Sequence, residues 1–284
     1  MPLVKVNELL HHATENGYGV AAVNVFNYET IKWVAEAANR ERIPVIIQFY
    51  PGFDKYIALK HVAAIAKDFA EKSSVPIGVH LDHSAGYEIA VSGVRDGFPS
   101  VMVDGSALPY EKNMALTAAV VKTAAVFGVD VEAELGHVGS GANLDDIVNS
   151  DHYTDVKQAV EFVKCTGCGS LAVAVGNAHG AYVQTPNLDF DRIASLRSAL
   201  PIPLVLHGCS DIPPEQLQES VRLGMSKFNI ATEYFRACYH GVVQHGDPAE
   251  KNGDMFRLMM ETSENAIDFV RGKMRLLNPN KFTF

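Results

Sequence analysis

Eight short apolar runs recur along the chain, at 19–23, 44–49, 76–81, 100–103, 130–135, 170–175, 203–206 and 227–231. Each is nearly continuous in Val, Ile, Leu and Ala, as a strand buried on both faces requires. Between them lie segments such as TIKWVAEAANRER, ALKHVAAIAKDFAEKS, NMALTAAVVKTAAVFG and PEQLQESVRLG. Their apolar residues fall at three-and-four spacing, which predicts amphipathic helices. Eight strands alternating with helices predict an α/β fold, a (β/α)8 (TIM) barrel forming a single domain over residues 1–284. A doubly wound open sheet shares this alternation and stays open as an alternative, because periodicity does not register closure. The polar stretch from Gly136 to Thr154 is the longest interruption. Inside a compact domain a loop of that length is usually functional or mobile. A last helical pattern, AIDFVRGKMRLL at 266–277, is expected outside the barrel or against a partner subunit.

Composition narrows the field. Of 284 residues, 48% are hydrophobic and 20% charged, enough apolar material for a large core. The formal charge is −9, and no basic run tracks along the chain, so nucleic-acid binding is excluded. An anionic small substrate would need local positive potential from a metal, helix N-termini or a few basic side chains. No apolar run reaches the roughly 18 residues of a membrane span, and the N-terminal stretch lacks a signal-peptide core, so no membrane association and a cytoplasmic location are expected. Four cysteines are too few for a disulfide framework. Cys165 and Cys168 form a lone CxxC after a helical pattern and read as helix-end packing.

Three histidines then become conspicuous. His83, His179 and His207 each stand where an apolar run gives way to a small-residue loop, in HLDH, GNAHG and VLHG. Any one of them alone reads as a hydrogen-bonded core or rim residue. Together, at strand ends meeting in one mouth, they read as a zinc tripod with a fourth position open. In a barrel the carboxyl ends of the strands carry the active site. Asn24, Asp82, Asp104, Ser106, Glu132, Glu134, Asn229 and Thr232 fall there too. Buried carboxylates are costly unless paired or bound to a cation, so Asp82, Asp104 and Glu134 support a metal. Glu132 reads equally as a carboxylate bonded to a neighbouring loop. GCSD after His207 and NIATE after the eighth run offer small residues, backbone N–H groups and hydroxyls where barrels commonly bind phosphate. An ordinary helix cap by Thr232 is the alternative for NIATE.

HLDH at 80–83, VMVDGS at 101–106, VEAELG at 131–136, AVAVGNAHG at 172–180, PLVLHG at 203–208 and KFNIATE at 227–233 resemble the class II, zinc-dependent fructose-bisphosphate and tagatose-bisphosphate aldolases. The resemblance extends from AVNVFN to the final helix. It implies that His83, His179 and His207 bind catalytic Zn2+, and that Asp82 is the acid/base acting on the aldehyde oxygen. It implies a second or alternative divalent ion at Asp104 and Glu134. Gly180, Gly208, Cys209 and Ser210, with Asn24, would hold the dihydroxyacetone phosphate half and a monovalent cation, Na+ or K+. Asn229, Ile230, Ala231 and Thr232 would complete the phosphate cradle. The expected activity is reversible cleavage of a ketose bisphosphate in carbohydrate metabolism, the glycolytic reaction type, by a homodimer or homotetramer.

The residue types suit that chemistry. Carbon–carbon cleavage needs an electron sink, which zinc supplies as a Lewis acid, and a group to take the C4 hydroxyl proton, which Asp82 supplies. The other known solution is a Schiff-base lysine. Here the sixth run ends without one, and Lys227 begins its run at the far end from the mouth.

Two departures from the family pattern stand out. The family usually has an acidic residue near Ala142, where this chain reads GHVGSGANLDDI. Either Asp145 or Asp146 reaches in, or another group moves the proton. Tyr50 replaces a small hydroxyl residue at the aldehyde end and is expected to crowd or reshape it. Cys209 replaces a Gly or Ala and is small enough to fit. Two further readings therefore stay in play: an aldolase with a different acceptor aldehyde, and a non-catalytic sugar-phosphate-binding homologue. A metal-dependent hydrolase is disfavoured because the first strand carries no HxH pair.

Overall fold

The structure, a computed structural model, describes residues 3–246 and 253–284. Its strands are β1 (Val20–Val25), β2 (Val45–Phe49), β3 (Ile77–Ser84), β4 (Ser100–Val103), β5 (Asp130–Leu135), β6 (Ser170–Val173), β7 (Leu204–Leu206) and β8 (Met225–Ile230). Each pairs in parallel with the next, and β8 pairs with β1 through Phe228 opposite Ala21 and Asn229 opposite Ala22. That closure excludes the open sheet. The molecule is a (β/α)8 barrel.

The helices are α1 (Val6–Asn16), α2 (Tyr28–Glu41), α3 (Leu59–Lys72), α4 (Tyr87–Arg95), α5 (Tyr110–Val126), α6 (Leu144–Val148), α7 (Val156–Thr166), α8 (Phe190–Ala199), α9 (Pro214–Arg222), α10 (Thr232–His245) and α11 (Met255–Leu276). Local chemistry sets several starts. Asn27 and Thr30 form a capping box on α2, and the carboxylates of Asp155, Asp189 and Asp254 accept from the first turns of α7, α8 and α11. Each helix turns an apolar stripe inward; α2, for instance, buries Ile31, Val34, Ala35 and Ala38. Together these stripes and the outward faces of the strands make the main core.

Inside the barrel the layers differ. Toward the N-terminal end, α1 plugs the bore with Val6, Leu9 and Leu10 against Val20, Ala22 and Ile46. Gly78 is what lets α1 seat there, since a Cβ would come 3.0 Å from Val6 and 3.1 Å from Ile46. One layer higher the interior becomes polar, with His80, Glu132 and Lys227 fully enclosed. Above them the mouth opens.

Two segments differ from the sequence-based expectation. The last helix, α11, begins well before Ala266, and its first turns expose Met255, Phe256 and Met260. It packs on α2 and α10, with Arg271 and Arg275 against Glu41. The stretch 136–154 is folded rather than open: it contains α6 and a 3-10 turn at Ser150–His152. Its backbone pairs with the loop after β6, where His179 N–H donates to the Gly139 carbonyl and Gly141 N–H to that of His179. Among the described residues no helix is long and apolar enough to cross a membrane. All four cysteines are free; Cys168 is buried just past the end of α7, as helix-end packing predicts, whereas Cys165 in the last turn of α7 is exposed.

Candidate active site

The C-terminal mouth of the barrel encloses a cavity of about 440 Å³. His83 and His179 line it, and His207 lies buried directly beneath. His83 Nε2 lies 3.1 Å from His179 Nε2 and 2.9 Å from His207 Nδ1. The three imidazoles expected at the mouth therefore come together.

A backbone irregularity makes it possible. Neighbouring side chains on a strand point to opposite faces, so Asp82 and His83 should diverge. Instead β3 slips register against β4 between Leu81 and Ser84, and His83 takes a left-handed φ of 42°. Both side chains then reach the cavity. Such bulges commonly re-aim a side chain beside an active site.

Each imidazole is tethered through its other nitrogen. His83 Nδ1 lies 3.0 Å from Asp104 Oδ2, His179 Nδ1 lies 3.1 Å from the Val138 carbonyl, and His207 Nε2 lies 2.9 Å from Glu132 Oε1. These acceptors fix the ring orientations, so that Nε2 of His83, Nε2 of His179 and Nδ1 of His207 all face one point. Burial, reinforced by charge on His83, holds His179 down to about 4 and His207 well below its ordinary value. For His83 burial pulls the same way, but the carboxylates of Asp82, Asp104 and Glu134 prevail and raise it to about 9. The centre is thus built for one positive charge among neutral rings. Three nitrogen donors with an open side fit a divalent metal ion.

Glu134 adds to this picture. Its Oε2 is 3.6 Å from His207 Nδ1 and, among the described residues, has no hydrogen-bond partner. Burial and then the charge of Asp104 push its carboxyl up to about 8. The ligand atoms of His83, Asp104 and Glu134 also lie within 4.8 Å of one another, a second arrangement that shares His83. Asp104 itself is held well below the carboxylate range: burial opposes this, but bonds from His83 and Ser106 outweigh it.

Asp82 is buried and surrounded by donors. Asn24 Nδ2 donates to its Oδ2 at 2.9 Å, Gln48 Nε2 to the same oxygen at 3.3 Å, and Asn229 Nδ2 to its Oδ1 at 3.2 Å. Burial alone would favour the neutral acid, yet nearby His83, His207 and Lys227 and the Asn24 bond lower its pKa. It stands ionised at the cavity floor beside His83.

The opposite wall is built of small residues and a helix start. Gly180, Gly208, Ser210, Asn229, Ala231 and Thr232 line the cavity. Gly208 is irreplaceable on steric grounds: its φ is 62°, and a Cβ would fall 2.0 Å from the Ala178 carbonyl. Thr232 is the first residue of α10 and not its cap. The cap position is Ala231, with no side-chain bond, and Ser210 Oγ instead accepts from Glu233 N–H at 3.3 Å. The start of a fourteen-residue helix thus opens onto the cavity with N–H groups available to an anion. Cys209 and Ile230 do not line it. Both are buried in the core, and Cys209 N–H is taken by the Asn229 carbonyl.

Neither Asp145 nor Asp146 lines the cavity. Asp146 Oδ2 accepts from Ser140 N–H at 2.7 Å beside His137, and Asp145 is exposed; this segment contributes Val138. Tyr50 does line it, with its ring centroid 6.5 Å from that of His83. Glu132 is bonded inside the barrel: it receives His207, the first residue of the loop after β7, and lies 2.9 Å from Lys227 Nζ of β8, both fully enclosed. Lys227 therefore sits below the mouth and is occupied.

Gln48, Phe53 and Phe235 were not anticipated. Gln48 is the lone polar residue in VIIQF, a signal that could have marked it as facing the interior. The two phenylalanines, 6.0 Å apart between ring centroids, come from distant segments and carry no local signal.

A closed barrel with three converging histidines and an uncapped helix start at its C-terminal mouth defines a class of α/β barrels whose mouth could hold a metal ion. Residues 4–281 match the family model described as fructose-bisphosphate aldolase class-II, and the chain belongs to that family. It is similar to the YdjI aldolase from Escherichia coli K12, with 34% identity over 97% of each chain and a TM-score of 0.87. It is also similar to a putative fructose-1,6-bisphosphate aldolase from Coccidioides immitis, with 28% identity over 96% of each chain and a TM-score of 0.84. Fructose-bisphosphate aldolase from Campylobacter jejuni, at 24% identity over 97% of this chain and 95% of that one, shares the fold with a TM-score of 0.81.

Proposed function

We propose that the chain is a zinc-dependent aldolase that reversibly cleaves a ketose 1-phosphate into dihydroxyacetone phosphate and an aldehyde. Fructose and tagatose 1,6-bisphosphate, the substrates implied by the resemblance, share this donor half. The observation that carries the reading is the tethered tripod, three imidazole nitrogens converging within 2.9–3.1 Å of one another through His83 beside an ionised Asp82. His83, His179 and His207 would hold the metal, which supplies a Lewis acid for the electrons left on the ketose carbon. Asp104 and Glu134 are the residues suited to a second divalent ion.

The remaining work belongs to the chain's own groups. Asp82 takes the C4 hydroxyl proton in cleavage and returns it in condensation. Asn24, Gln48 and Asn229 keep its carboxylate aimed and charged. Ser210, Thr232 and the N–H groups at the start of α10 bind the phosphate, with Gly180 and Gly208 allowing its close approach. A monovalent cation, Na+ or K+, belongs at this same donor end.

A different acceptor aldehyde is favoured over glyceraldehyde 3-phosphate by one observation, Tyr50 at the acceptor end of the cavity. A homodimer or homotetramer is the expected assembly. The test is solvent deuterium exchange into the hydroxymethyl carbon of dihydroxyacetone phosphate by the zinc-loaded protein. Exchange lost with a chelator supports an aldolase, whereas absence of exchange favours a non-catalytic sugar-phosphate-binding homologue.

A further inference from the structure

Beyond Tyr50 and His83 the cavity adjoins a second recess of about 570 Å³, and the two share Tyr50, His83 and Ala85 as walls. A substrate anchored in the cradle by its phosphate and held at the tripod by its carbonyl must extend its far end in this direction. The charge there is of the wrong sign for a second phosphate. Asp54, Glu88 and Asp96 line the recess, and Arg95 is the one Lys or Arg among its described lining residues. That guanidinium is already engaged in a fork with Asp96, Nε to Oδ1 at 2.8 Å and Nη2 to Oδ2 at 3.1 Å.

Backbone does not compensate. The helix that starts at this end, α4, carries Glu88 in its own first turn, so the positive end of its dipole is already met by a carboxylate. At the donor end, by contrast, α10 starts on Ala231 with no side-chain cap. Within the cavity proper, Tyr50 and Phe53 present aromatic surface where a phosphate-binding site would need donors. Carboxylates accept hydrogen bonds from sugar hydroxyls, and an aromatic face suits the C–H face of a polyol.

We propose that the acceptor is a neutral, unphosphorylated polyhydroxy aldehyde, selected by Tyr50 and the Asp54–Glu88 carboxylates, so that the sugar cleaved is a ketose monophosphate. This rests on the aldolase reading above. The condensation balances without a redox partner. One C–C bond forms between the deprotonated hydroxymethyl carbon of dihydroxyacetone phosphate and the aldehyde carbon. The C=O electron pair moves to the aldehyde oxygen, which takes a proton, and the proton lost from the donor carbon passes to solvent.

The experiment has two stages on the zinc-loaded protein: deuterium exchange into dihydroxyacetone phosphate alone, then condensation with glyceraldehyde, erythrose, glyceraldehyde 3-phosphate and an aldehyde bearing a carboxylate. The expected result is exchange, with kcat/KM for the neutral aldehydes at least about tenfold above either charged one, since each nearby like charge is worth about fivefold even in water. Exchange together with a preference for a charged aldehyde, or with no condensation of the neutral ones, overturns the proposal and leaves the aldolase reading standing. Absence of exchange overturns both. Glu88→Gln should narrow the advantage of glyceraldehyde over glyceraldehyde 3-phosphate by about fivefold. An unchanged ratio removes Glu88 from its role.

Discussion

The β7–β8 end of the cavity is made largely of backbone: Gly180, Gly208, Ala231 and the first turn of α10, backed by the buried core. The Tyr50 end is made of side chains, and Tyr50, Asp54 and Glu88 are all exposed. A surface built from backbone can change only if the strands and helix that set it move, which would cost the packed core. One built from exposed side chains can be exchanged residue by residue. On the proposed reading, the difference teaches that the donor phosphate would sit at the rigid end and acceptor choice at the replaceable end, with His83 of β3 as the wall between them.

The contrast can be broken most sharply at the tripod. Stripping the metal with a chelator should abolish both deuterium exchange and cleavage, with recovery on adding Zn2+ and no sensitivity to borohydride. Reductive trapping of substrate on a lysine would replace the whole scheme. Next in size, Asp82→Ala should slow turnover by about 10²–10⁴-fold while metal content stays stoichiometric. A near-normal rate removes Asp82 from proton transfer.

Glu132→Gln tests the buried layer beneath. It takes the anionic acceptor from His207 Nε2 and the ion-pair partner from Lys227, and should weaken metal binding about 10–100-fold in a competitive chelator titration. An unaltered affinity would mean that the tether is idle. The pH profile follows from His83. Its pKa of about 9 means that in the metal-free protein it is protonated below that value, so the metal must displace a proton. Apparent metal association should therefore rise about tenfold per pH unit up to about 9 and flatten above it. A profile already flat from pH 7 contradicts a charged His83. The smallest effect belongs to the side-chain end: Tyr50→Ala should raise the aldehyde KM by about tenfold or less, with far less change in deuterium exchange. Equal losses in both would place Tyr50 with the donor machinery.

Much of the site was legible because its signals are local. His207 follows β7 directly and His179 lies in the loop after β6, each beside a glycine, Asp82 adjoins His83, and small residues follow the seventh and eighth runs. What escaped depends on contact between distant segments. Glu132 was ambiguous because its partners, His207 and Lys227, are 75 and 95 residues away, and only closure brings them to one layer. Lys227 stood apart from the mouth in sequence, and the structure encloses it fully below a cavity that it does not line. The aspartates after Ala142 gave no hint that Asp146 would turn to Ser140 N–H and away from the cavity. Cys209 and Ile230 fell within the cradle by position, yet their side chains turn into the core.

By itself the sequence determined the alternation of eight strands and their helices, and the polar residues that stand at the strand ends. Those are properties of spacing along the chain, set by residue periodicity and turn chemistry. Only the tertiary structure decided the closure of β8 on β1, the bulge that aims Asp82 and His83 together, the tether on each imidazole, and the unequal ends of the cavity. Each of these depends on which groups meet across the barrel, and that is set by packing between segments that sequence spacing leaves far apart.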